Sequence, residues 1–99
     1  MKKDNNRLYI LIDESLSPIY GAVQGGHAIA QFLLEHPDSS WKNNTVVYLY
    51  CNLEAIRKKL DKLKEDYSEF HEPDLGNKLT SIAVLNPLKR IVKNLKLVS

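Results

Sequence analysis

Four residues of this 99-residue chain, Tyr20, Gln24, His27 and Gln31, recur at the spacing that puts them on one face of a helix. His27 is the titratable member, suited to act as a general base or to hydrogen-bond a ligand near neutral pH. A second group lies in EFHEPDLGNKLTSIA. There Glu69, Glu72 and Asp74 put three carboxylates beside His71, with Thr80 shortly after. Asp74 and Thr80 near strand ends would converge with His27, because α/β domains place their sites in the loops at strand ends. The plainer reading makes this stretch a polar hairpin loop in which Asp74 caps turn amides. His27 is then an ordinary residue beside a close helix-sheet contact.

Other chemistries are argued against. His36 and His71 show no metal-ligand spacing with His27. Cys51 is the chain's lone cysteine, so no internal disulfide forms and no cysteine-based metal site is expected. No metal and no cofactor is implied.

The elements that must hold these residues are legible. RLYILID, residues 7–13, is a short apolar run bounded by polar residues, hence a buried strand. Ser17-Pro18 reads as an N-cap and a first-turn proline, and the helix it opens should run to about Glu35, before Pro37. In this helix Val23, Ala30, Leu33 and Leu34 are expected to pack on the sheet, with the Tyr20–Gln31 stripe turned away from that face. Gly21 and Gly25 flank the stripe. A glycine costs about 1 kcal/mol against alanine inside a helix, so something is expected to approach this backbone closely, either a strand or a ligand.

TVVYLYC, residues 45–51, is a second buried strand by its β-branched and aromatic content. Leu53, Ile56, Leu60, Leu63 and Tyr67 then recur at helical spacing. SEFHE reads as a short strand, PDLGN as a turn, LTSIAVL as a further strand, and Pro87 opens a last helix with Leu88, Ile91, Val92 and Leu95 inward. The order β-α-β-α-β-β-α predicts a single α/β domain over residues 1–99, a two- or three-layer sandwich on a mixed four-stranded sheet. The first strands should be parallel, with a late antiparallel hairpin.

Composition is that of an ordinary globular domain, 43% apolar and 26% charged, with a net charge of +2. That charge is too small to argue for nucleic acid by itself. The end of the chain is uneven, however: PLKRIVKNLKLVS carries Lys89, Arg90, Lys93 and Lys96 and no acid. By contrast RKKLDKLKED interleaves both signs, which reads as solvation and pairing within a helix. Trp41 could stack on a nucleic-acid base, but the commoner role of such a residue is to anchor the loop around it to the core. The first apolar run is too short and too acid-bounded for a signal peptide, and nothing reaches the length of a membrane span, so a cytoplasmic protein is expected.

Gln24-Gly25-Gly26-His27-Ala28, followed later by Asp74 and by Thr80-Ser81-Ile82-Ala83, resembles the type 2 peptidyl-tRNA hydrolase family. The resemblance in element order covers nearly the whole chain. Two departures stand out. The family's lysine four residues ahead of the glutamine is Tyr20 here, and its Asp-Ala-Gly-Arg-Thr loop is not reproduced. The resemblance implies hydrolysis of the ester joining a peptide to the tRNA 3′ end. His27 would be base or orienter, Asp74 its partner or the water-orienting group, and Thr80 or Gln24 hydrogen-bond donors. Tyr20, Lys78, Lys89, Arg90 and Lys93 would contact the substrate, the basic end holding tRNA phosphates. The partner implied is tRNA, with no membrane, and a homodimer is compatible with it. The alternative is a non-catalytic or repurposed binding module of the same fold, recognising RNA, a small ligand or a protein. Geometry discriminates: His27, Asp74 and Thr80 lining one cleft favours the hydrolase, and Tyr20 filling it favours the module.

Overall fold

The computed structural model describes residues 6–99. Nine elements follow one another: β1 (Arg7–Asp13), α1 (Pro18–Glu35), β2 (Thr45–Cys51), α2 (Leu53–Lys62), β3 (Tyr67–Glu72), a 3-10 turn (Pro73–Leu75), β4 (Lys78–Leu85), α3 (Lys89–Val92) and β5 (Lys96–Leu97). The sheet is mixed and five-stranded, in the order β3-β4-β1-β2-β5. β1 and β2 are parallel, and β4 pairs antiparallel with both β1 and β3. The expected four strands thus become five. The long last helix shrinks to α3 because the chain turns back after Leu95 to lay β5 against β2. Two residues of strand leave no period to read.

The helices start where cap chemistry puts them. The Ser17 hydroxyl accepts the Tyr20 N–H at 3.3 Å with Pro18 in the first turn, and the Asn52 side chain accepts the Ala55 N–H at 3.1 Å. Side chains pointing alternately to the two faces of β1 then divide the core in two. Leu8, Ile10 and Ile12 pack with Ala28 and Phe32 of α1, while Leu11 packs with Leu53, Ile56 and Leu60 of α2 and Ile91 and Val92 of α3. Three layers result: α1, the sheet, then α2 with α3. Phe32 is wholly buried, and cutting such a ring to alanine costs about 3–5 kcal/mol. Trp41 is the anchor expected of it, buried with its Nε1 donating to the Thr45 carbonyl at 3.1 Å.

The orientation of α1 is the main correction. Its buried face is Gly21, Gln24, Gly25, Ala28 and Phe32. Val23, Leu33 and Leu34, expected inside, are exposed, as is Ala30. The cause is proximity. An added Cβ on Gly21 would come within 2.7 Å of Ile12, and one on Gly25 within 2.5 Å of the Tyr48 ring and 2.8 Å of Ile10. The close approach the glycines signalled is therefore to the strands, and at Gly21 and Gly25 no larger side chain fits, whereas Phe32 fits farther along the same face.

Candidate functional site

Gln24 is the centre of the site. The inward face of α1 carries it onto β4, where it is 1% exposed. A buried amide must find partners, and this residue finds three. Its Nε2 donates to Glu72 Oε1 at 2.8 Å, its Oε1 accepts the Thr80 hydroxyl at 2.5 Å, and its backbone carbonyl accepts the Ser81 hydroxyl at 2.7 Å. Thr80 and Ser81 are consecutive, so a regular strand would send them to opposite faces. They share a face because the β3–β4 register shifts between Phe70 and His71: Phe70 pairs with Ser81 and His71 with Leu79, which leaves Thr80 as the extra residue of a β-bulge.

The rim is polar. Glu72 also accepts the Asp74 N–H at 3.1 Å through its other oxygen. The Gln24 amide first, then the Asp74 N–H, hold its carboxyl below the usual range, with a smaller contribution from His27. His27 is exposed and lies flat on Phe70, ring centroids 4.5 Å apart and 14° from parallel. The turn beyond is built as its residues suggest, with Gly76 at φ 64° and Asn77 at φ 63°. Asp74 itself is exposed, and among the described residues its carboxylate has no hydrogen bond to His27, Gln24 or Thr80.

The expected convergence is therefore partial. Gln24 and Thr80 meet, and Glu72 and His27 stand at the edge of the same junction. Thr80 has no exposed surface and Gln24 nearly none, so the two close on each other instead of lining a cleft. Tyr20 is half-buried on α1. Lys78 is committed elsewhere: its Nζ lies 3.0 Å from Asp13 at the end of β1. Burial of the Asp13 carboxyl works against its charge, but Lys78 and the Ser15 amide outweigh it and lower the pKa. Lys89, Arg90 and Lys93 sit in the layer on the far side of the sheet from His27.

Sequence reading named Glu72 only as one of three carboxylates and gave Phe70 and Ser81 no role. Glu72 had a signal, one acid two residues before Asp74, but the bulge that turns Thr80 onto the face of Ser81 has none. A third histidine is likewise structural. His36 stacks on Phe32, its centroid 4.3 Å away, with Nδ1 3.4 Å from the buried Ser68 hydroxyl. The same hydroxyl first, then the Gln31 amide, lowers the Glu35 pKa. His71 bonds Glu69 at 2.8 Å and the Asn77 carbonyl at 3.1 Å; the Glu69 bond foremost raises its pKa.

On the opposite layer the charges of α2 separate by flank. Glu54 pairs with Arg57 at 2.6 Å, Arg57 also reaches Glu69 on β3 at 3.3 Å, and Asp61 accepts the Tyr67 hydroxyl. The acids thus face β3. Lys59 and Lys62 turn the other way and meet Arg90 of α3 around a depression of about 260 Å³ floored by Leu63 and Ile91. No carboxylate lines it. Lys59 and Lys62 of the interleaved run thus stand apart from Glu54 and Asp61, while Arg57 stays with the acids and Glu65 accepts the Leu88 N–H at the start of α3.

No family model matches the chain, and no curated protein matches it. Among solved structures, a protein of unknown function from Agrobacterium tumefaciens strain C58 is similar, with a TM-score of 0.69 at 12% identity over 98% of this chain and 100% of that one. That likeness is one of fold. The chain is a small α/β protein with a mixed sheet, and among its described residues no helix is long and apolar enough to cross a membrane.

Proposed function

We propose that the protein is a non-catalytic binding module that grips RNA phosphates through its α2–α3 layer. The observation that carries this reading is the basic depression: Lys59 and Lys62 join Arg90 around it with no carboxylate in its lining, while Glu54 and Asp61 are occupied on the other flank. Lys58, Lys89 and Lys93 are exposed on or beside the same two helices. Cations so placed release counterions when they meet a phosphate backbone, and the affinity follows salt steeply. The burial of Thr80 and Gln24 argues the same way, because neither can touch a substrate while α1 is seated.

The test is fluorescence anisotropy of labelled deacylated tRNA over a salt series. Wild type should bind with a log–log salt slope of roughly −2 to −4, the value for about three to five phosphate contacts. Lys62→Glu with Arg90→Glu should weaken binding by about tenfold or more and flatten the slope by nearly two contacts. Binding without salt dependence, or untouched by the double reversal, would defeat the reading.

One observation favours peptidyl-tRNA hydrolysis as a second reading. Exposed His27 stands near Glu72, whose carboxyl is held ionised, on the helix bearing the Gln24–Ala28 signature. There water adds to the ester carbonyl, His27 takes its proton, and the tRNA 3′ hydroxyl leaves with a proton as the peptide carboxylate is released. Release of labelled peptide from an N-blocked aminoacyl-tRNA by wild type, lost in His27→Ala and Glu72→Gln, would support it. No turnover by wild type would dismiss it.

A further inference from the structure

The outward face of α1 is an apolar stripe with none of the described residues packed upon it. Ile19 is 82% exposed, Val23 53%, Leu33 44% and Leu34 77%, and Gly26 and Ala30 lie between them on the same face. The exposed side chains amount to an apolar patch on the order of 400 Å², the size of the largest patch on a typical monomer and one that is often functional.

Gly26 supplies an independent observation. Gly21 and Gly25 are accounted for by Ile12, Ile10 and Tyr48, but a Cβ added to Gly26 would meet nothing within 4 Å. Nothing among the described residues uses this glycine, which sits mid-helix at the middle of the stripe. Glycine there allows another backbone to approach closely from outside.

We infer that the occupant is a second copy of this chain, with the two α1 helices crossing antiparallel at Gly26. The order of residues identifies it. Read outward from Gly26 in either direction, the stripe meets a small-to-medium residue, Val23 or Ala30, and then a large one, Ile19 or Leu33. A two-fold axis beside Gly26 therefore sets Val23 of each copy across from Ala30 of the other, and Ile19 across from Leu33, as an isologous contact requires. Charge agrees. From Pro18 to Leu34 the helix carries no Asp, Glu, Lys or Arg, so two copies meet without repulsion and a charged partner has nothing to recognise.

The area sets the strength. A patch of about 400 Å² per copy is half the roughly 800 Å² of a standard interface. The flanking apolar depression of Pro18, Ile19, Ala22, Tyr48 and Val98 extends it at one end. The dimer is accordingly a weak one, of the size of transient contacts, with a dissociation constant of about 1 μM or weaker.

Sedimentation equilibrium from about 1 to 500 μM, bracketing that constant, tests this on the full chain. Wild type should show a monomer–dimer equilibrium. Val23→Glu and Ala30→Lys should each be monomeric. The two together should restore the dimer, because the carboxylate introduced on one copy then faces the ammonium introduced on the other. Gly26→Ala should raise the melting temperature of dilute protein yet weaken the dimer, a split that a merely structural glycine would not produce. Circular dichroism establishes that each variant is folded. Wild type monomeric throughout would overturn the inference and leave the stripe to another partner. So would single variants that dimerise normally, or a double variant that stays monomeric.

Discussion

Replacing Thr80 by valine keeps the shape of the side chain and deletes one hydroxyl. In the folded protein this leaves Gln24 Oε1, on a residue 1% exposed, without the donor that now sits at 2.5 Å. Water cannot substitute, since the junction is closed to the surface. An acceptor stranded in this way costs about 1–3 kcal/mol, against nearly nothing when both partners are replaced by apolar groups of similar shape. Gln24→Met is the complementary change: it strands the Thr80 hydroxyl, whereas Glu72 loses a partner but can turn to water. Each single variant should therefore lose about 1–3 kcal/mol in urea unfolding, with each kcal/mol lowering the melting temperature by about 4–8 °C in a domain of this size. The double variant should lose clearly less than the two losses added, a coupling of about 1 kcal/mol or more. Strict additivity, or a Thr80→Val loss under about 0.5 kcal/mol, would refute the picture of a sealed junction and reopen Thr80 as a solvent-facing group.

Gly25→Ala should destabilise by about 1–3 kcal/mol, because the new methyl meets Tyr48 and Ile10 and the gain in helix propensity does not offset that overlap; calorimetry reads it. Asp13 has a lowered pKa, so its ion pair with Lys78 contributes stability above the unfolded value of about 3.9, lost as pH falls through the folded value. Lys78→Ala, which leaves burial as the chief influence, should raise the Asp13 pKa and bring on acid unfolding at higher pH, followed by carboxyl NMR. His71 has the opposite sign: its contribution is complete below about 6.5 and fades as pH rises through the raised folded value, and Glu69→Gln should move its NMR titration down. Cys51, whose thiol burial pushes up to about 12, should be nearly inert to thiol reagents at a pH of about 8 until denaturant exposes it.

Much of this protein is written locally. Ser17-Pro18, Asn52 and the Gly76-Asn77 turn end and begin elements through bonds that reach only a few residues, so β1, α1, β2, the start of α2 and β4 were legible in the chain, whereas α2 stops at Lys62 and Tyr67, expected on that helix, opens β3. Parallel pairing of β1 with β2 followed from the helix between them. Gln24 and Thr80 were legible as candidates too, because polar residues on apolar elements invite a reason.

What they do was decided by tertiary structure. Apolar residues surround most of α1, so periodicity named the wrong face; the inward side is set by how near Ile10, Ile12 and Tyr48 stand, and at the points of closest approach only glycine fits. The bulge at Thr80 depends on the register of β3, and it turns Thr80 onto the same face as Ser81, where both bond Gln24. The separation of charge on α2 depends on which flank meets Glu69 and Tyr67 and which meets Arg90. Composition and spacing determine which residues are present and which element carries them. Distances of a few ångströms between elements far apart in the chain determine which are sealed inside and which are left for a partner, because packing and hydrogen bonding act through space.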